Sequence, residues 1–249
     1  MDRSRLISYL DDYLQINAIA DYGPQGLQVE ANPADVKRIA TAVDTSPDTI
    51  KAAAAWQADM LLVHHGIFWR TVEPIRGPLG ARVRLLLSSN INLYAAHLAL
   101  DAHPEVGNNA VLAKMFSLDV TDWWFEAGGV KIGVLGDMKT NINALLQNVN
   151  TQLHTKARLL AHGPQEVRRL AIVSGFGADR VAEVKRLGAD TFITGETSHA
   201  NYWAASDYGI NVIFAGHYAT ETVGVQALGQ HLTTKFNLET KFFDFPTAM

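Results

Sequence analysis

Three apolar runs of this chain lead into histidine. MLLVHH ends on His64-His65 and is followed by Gly66; INLYAAH ends on His97, with Asp101 four residues later; NVIFAG runs directly into His217, with Glu221 four residues further on. Imidazole and carboxylate together suit zinc, iron, manganese, cobalt or nickel, and with no Cys in the chain every thiolate site or nucleophile is excluded. Open α/β sheets bind their ligands beyond the carboxyl ends of the strands, which is where these residues fall. Neighbouring side chains on extended backbone point to opposite sides, so His64 and His65 suit two adjacent ions better than one. If Gly216 ends its strand and a helix begins near Tyr218, His217 and Glu221 share one helical turn, at the end where the dipole favours a carboxylate. A carboxylate has two oxygens and can bridge cations, whereas imidazole normally binds one. Glu221 is therefore the expected bridge, with His65 and Asp101 on one ion and His64 and His217 on the other. A single strand-end histidine is most often a hydrogen-bonding residue. Three strand ends, two with a carboxylate four residues on, carry the metal reading.

Other residues near these positions have two readings each. His97 and His103 flank Asp101, and either can be a proton carrier or a support for a ligand; His103 is equally compatible with an exposed position. Glu196 and His199 form an E-x-x-H after the run DTFIT, which is either part of a site or a helix cap. His154, His162 and His231 read as surface or packing residues. Gly175-Phe176-Gly177 follows RRLAIVS but has Arg180 where the third glycine of a dinucleotide fingerprint would stand, so a plain strand-to-helix turn is expected.

Positioning such residues requires alternating strands and helices. Expected strands are 37–43, 60–64, 91–97, 130–135, 158–161, 170–174, 191–194 and 211–215; expected helices are 3–15, 47–56, 79–89, 108–116, 141–153, 178–187, 199–208 and 220–232. Several strands are continuous Val, Ile and Leu runs, the pattern of strands buried on both faces. The aromatic cluster Trp123-Trp124-Phe125 before Gly128-Gly129 reads as a packed crossover between halves. The expected fold class is α/β: two interlocked halves, each a mainly parallel sheet flanked by helices, with the metal site between them. Residues 1–125 plus about 217–249 form the first half and about 126–216 the second. The 249 residues are 48% hydrophobic and 18% charged, with a formal net charge of -4, which is ordinary for a globular protein and gives no basic face for nucleic acid. No apolar run reaches the roughly 20 residues of a membrane span, and the opening MDRSRLISYLDDYLQ reads as an amphipathic helix rather than a secretion signal. A reducing cytoplasm is the expected location.

At these residues the chain closely resembles the Nif-three-like dinuclear-metal hexameric proteins, also known as GTP cyclohydrolase 1 type 2 homologues. GLQVE at 26–30, DMLLVHHGIFW at 59–69, AAHLALDAHPEVGNN at 95–109, TGETSH at 194–199 and AGHYATE at 215–221 carry the resemblance almost end to end. The resemblance implies two divalent metal ions per chain on His64, His65, Asp101, His217 and Glu221, and a toroidal homohexamer with its sites facing an internal cavity.

The leading functional expectation is a metal-dependent hydrolase. Two cations about 3.5–4 Å apart lower the pKa of a bridging water and polarise a carbonyl, formyl or phosphoryl oxygen. A cyclohydrolase would direct the resulting hydroxide at C8 of a purine nucleotide, with His97 or His199 as proton carrier and Glu196 as a further candidate; phosphoester or amide hydrolysis suits the same centre. The rival expectation is a non-catalytic metal-binding or interaction scaffold. An enzyme needs open coordination positions, and five protein ligands for two ions leave some.

Overall fold

The computed structural model describes residues 1–31, 34–69 and 73–247. It separates into two compact units, Met1–Gly107 with Ala127–Val130 and Gly224–Phe245, and Asn108–Glu126 with Lys131–Val223 and Pro246–Met249. These boundaries differ from the expected ones near 125 and 217. The reason lies in Asp119–Ala127, which is a strand neighbouring Val130–Asn141 in one sheet. Gly128 and Gly129 between them hold φ of +58° and +82°, the backbone that a tight hairpin turn demands and that glycine adopts without strain. The aromatic cluster is thus part of a hairpin, not a crossover.

The first unit is built on α1 (Arg3–Tyr13), β1 (Gly26–Val29), β2 (Arg38–Asp44), α2 (Pro47–Ala55), β3 (Met60–His65), α3 (Gly77–Ser88), β4 (Asn92–Ala95) and the short α4 (Leu98–Asp101). The later part of α9 (His217–Phe236) and β11 (Glu239–Phe242) complete it. Its sheet runs β1-β4-β3-β2-β11, with β4, β3, β2 and β11 parallel and β1 antiparallel at the edge. The apolar runs of β2 and β3 are buried on both faces. Ile39, Met60, Leu62 and Tyr94 pack with Leu6 and Leu10 of α1 and with Val225, Leu228 and Leu232 of α9. Ala40, Ala42, Leu61, Val63 and Leu93 pack with Ile50 and Ala53 of α2 and Leu86 of α3. The result is three layers, helices on both faces of a sheet. Ser46 caps α2 by accepting from the Thr49 amide, with Pro47 at the first helical position, the arrangement its sequence announces.

The second unit holds α5 (Asn108–Met115), β5 (Asp119–Ala127), β6 (Val130–Asn141), α6 (Ile142–Gln152), β7 (Arg158–Ala161), β8 (Glu166–Phe176), α7 (Val181–Arg186), β9 (Thr191–Glu196), α8 (Ala204–Tyr208), β10 (Asn211–Phe214) and the start of α9. Its sheet order is β5-β6-β8-β9-β10-β7. Only β8, β9 and β10 are mutually parallel; β6 is antiparallel to β8, and β7 to β10. The mainly parallel sheet expected of both halves therefore holds for the first, while the second is mixed. The edge strand β7 is largely exposed, whereas the parallel strands β8, β9 and β10 are nearly continuously buried through their paired stretches, as a covered parallel sheet requires. Leu112 and Phe116 of α5 and Ile142, Leu145 and Val149 of α6 cover Leu170, Ile172, Ile193 and Ile213. Among the described residues no helix is long and apolar enough to cross a membrane.

In each unit the register makes the parallel strands end together. Asp44 lies opposite His65 and Val63 opposite Ala95 in the first; Val173 and Phe214 both lie opposite Thr194 in the second.

Candidate metal centre

In the first unit three imidazoles gather past the carboxyl ends of β3 and β4. His64 is fully buried and donates its Nδ1–H to Ala96 O at 2.9 Å. His65 donates Nδ1–H to Asp44 Oδ1 at 2.8 Å, and His97 donates Nδ1–H to Asp21 Oδ1 at 2.8 Å. An imidazole that donates through Nδ1 and is neutral keeps its lone pair on Nε2, so these acceptors fix both tautomer and ring orientation, as they do around bound metals. The backbone does send His64 and His65 to different neighbours, β4 and β2. Their rings nevertheless finish 4.8 Å apart, with His97 4.9 Å and 5.6 Å from them. One ligand nitrogen from each of the three lies within 4.8 Å of the other two. Asp101, buried on α4, brings Oδ2 to 3.6 Å from His64 Nε2.

The segment around residues 21–28 holds these rings in place. Asp21 Oδ2 accepts from the Leu98 amide at 2.8 Å, and Gln25 Oε1 accepts from the His97 and Ala99 amides. Burial pushes the Asp21 carboxyl up, but the His97 ring and the Leu98 and Tyr22 amides outweigh it and leave the group below the usual carboxylate range. Gln28, from the GLQV segment, accepts from the Ile67 amide and donates to Pro24 O. A Cβ on Gly66 would strike the Gln28 amide, so the glycine after the histidine pair is what lets this clasp close.

The second unit supplies a separate donor set. Glu196 ends β9, His217 opens α9 and Glu221 follows one turn later. His217 Nδ1–H donates to Glu196 Oε1 at 2.9 Å, while its Nε2 lies 3.0 Å from Glu221 Oε1. Burial disfavours a charged His217 ring, but the Glu221 and Glu196 carboxylates prevail and raise its pKa to about 9. Without an ion the group is an imidazolium between two carboxylates. Gly175 holds φ of +63°, and a Cβ there would stand 2.5 Å from Glu221 Oε1 and 3.2 Å from His217 Nε2. Its amide donates to Thr220 Oγ1 at 3.0 Å. The Gly175-Phe176-Gly177 turn therefore forms the bare wall of this donor pair.

The remaining expectations divide. Glu196 pairs with His217 rather than with His199, which is exposed on a single 3-10 turn. His103 is buried, contrary to the exposed reading, and both of its nitrogens are committed. Nε2–H donates to Tyr13 O, and Nδ1 accepts from the Glu105 and Val106 amides, so it is no proton carrier. His231 packs flat against Tyr13 at 4.3 Å, and His154 and His162 are exposed. Asp44 and Asp21 were not foreseen. Asp44 had a signal, since it too ends an apolar strand run; Asp21 had none.

Imidazole nitrogens held through Nδ1, carboxylate oxygens and a glycine cradle make a donor set that fits a divalent transition-metal ion. Fold and donor chemistry together define an α/β protein with a candidate metal centre. The family model for Duf34/NIF3 (NGG1p interacting factor 3) matches residues 1–248, and the chain belongs to that family. Similar proteins named GTP cyclohydrolase 1 type 2 homolog include one from Pyrococcus horikoshii, 46% identical, and one from Pyrococcus abyssi, 44% identical, each match covering both chains completely. A solved structure from Thermus thermophilus is similar over 100% of both chains, with 38% identity and a TM-score of 0.90.

Proposed function

We propose that the two donor sets serve one dinuclear centre of a metal-dependent hydrolase, with His64, His65, Asp101, His217 and Glu221 as ligands to two divalent ions. The observation that carries this reading is the orientation of the histidines. His64, His65 and His217 each commit Nδ1 to an oxygen acceptor, and the Nε2 atoms of His64 and His217 already stand beside Asp101 and Glu221. When bound, divalent ions lower the pKa of a coordinated water and polarise a carbonyl, formyl or phosphoryl oxygen.

The chain's own groups then have defined tasks. Asp44 and Glu196 hold the rings of His65 and His217, and Glu221 would serve both ions. His199, exposed just after β9, is the proposed proton carrier. Five ligands for two ions leave coordination positions open, which favours catalysis over a closed metal store or scaffold. The name shared by the relatives suggests a purine nucleotide or related small molecule as substrate. A homohexamer, which the family resemblance implies, and a reducing cytoplasm are part of the same proposal.

Elemental analysis with titration should give two divalent ions per chain. Metal-replete protein screened over nucleotides, phosphodiesters and formyl compounds should turn over one of these classes, and chelation should abolish it. A reproducible plateau at one ion would defeat the dinuclear reading, and two ions without turnover would favour the scaffold.

A further inference from the structure

We infer that His97 is itself a metal ligand, a third imidazole beside His64 and His65, with Asp21 as the residue that aims it. The inference rests on the metal reading above and departs from the proton-carrier role expected of His97 in the sequence.

His97 is relieved of the tasks that usually occupy a histidine at the start of a helix. It flanks α4, but its side chain makes no capping bond there. Asp21 Oδ2 takes the Leu98 amide, and Gln25 takes the His97 amide. The ring's Nδ1–H is bound by Asp21 Oδ1, so Nε2 is the nitrogen left for a ligand. The support is the same as that of His65, whose Nδ1–H is bound by Asp44 at the same 2.8 Å. The His64, His65 and His97 rings gather with centroid separations of 4.8, 4.9 and 5.6 Å. Their ligand nitrogens are at most 4.8 Å apart. His97 is therefore within reach of an ion held by either of the other two rings. Trp69 stands edge-on to His97 at 5.4 Å.

The test compares wild type, His97→Gln and Asp21→Asn by chelator-competition titration with Co(II), with circular dichroism in chelator as the folding control. His97→Gln should weaken one ion by more than about 100-fold and alter the Co(II) visible spectrum. Asp21→Asn, which replaces one of the two oxygens that hold the His97 ring and the Leu98 amide, should weaken it by about 10–100-fold with unchanged stoichiometry. Wild-type Co(II) protein supplies a readout that needs no variant. Each ligated histidine with a protonated Nδ1 contributes one hyperfine-shifted exchangeable resonance, so His64, His65, His97 and His217 should give four, and Asp21→Asn should shift one of them. Three resonances, or His97→Gln binding both ions with wild-type affinity and spectrum while losing turnover, would return His97 to proton transfer and overturn the assignment. Wild-type protein that took up no divalent ion at all would instead overturn the metal reading on which it stands.

Discussion

In the proposed centre a proton and a metal ion would compete for Nε2 of His217. Its pKa of about 9, against an ordinary 6.5, is set by Glu221 and Glu196 prevailing over burial. Without metal, a folded-state pKa raised in this way contributes stability that is fully present below about 6.5 and lost as pH rises through about 9. The melting temperature of chelated protein should therefore fall across that window relative to a His217→Gln control. Metal binding must displace the proton, so affinity should rise with pH up to about 9, approaching tenfold per unit where a single proton is released. Glu221→Gln acts on both effects. It leaves an amide in place of a charge between two cations, so at least the second ion should bind more weakly and pair-dependent hydrolysis should cease. It also removes the main support for the His217 proton, so the pH dependence should flatten. Two tight ions and full turnover in Glu221→Gln would make Glu196 the next carboxylate to test.

At the scale of elements, the close meeting of β8 with the first turn of α9 depends on Gly175. Gly175→Ala forces an L residue to φ of +63° and drives a methyl to 2.5 Å from Glu221 Oε1. Gly209 has a matching φ of +58°, but its nearest non-local atom is His162 O at 3.9 Å. Both alanine variants should lose about 1 kcal/mol of stability from backbone strain, read by denaturant unfolding. Only Gly175→Ala should also lose metal affinity, and equal affinity in the two would sink the idea of Gly175 as the wall of the site. The elements themselves were largely legible from sequence, because continuous apolar runs such as MLLVHH and NVIFAG mark buried strands. Three strands escaped. β1 is only GLQV, β11 is an exposed edge of alternating ETKF, and β5 begins with four exposed residues, so none shows a buried run. The strand-end histidines were legible for the same reason as their strands. Their supports were not, because Asp44 lies 21 residues from His65, and Asp21 76 from His97. Such contacts exist only once the register and the 21–28 segment are folded.

For the whole molecule, the surface of each unit retains large apolar side chains. Ile75 is 60% exposed in the first, and Trp203 is 63% exposed in the second, which also exposes Phe176 and Tyr208. Aromatic side chains are enriched at the centres of protein interfaces, and such surface in a chain of modest charge suits burial against other copies. The number of copies is an expectation from the family resemblance alone: light scattering should give six times the 27.2 kDa chain mass, and a clean monomer across a wide concentration range would break the hexamer expectation while leaving the donor geometry intact. Assembly and metal should also be separable. None of the exposed apolar residues named here is a proposed ligand, so chelated protein should keep its mass while losing its ions. A chelator that dissolved the assembly would mean that the ions hold chains together as well as substrate. The candidate centre would then have to be redrawn with donors from more than one copy.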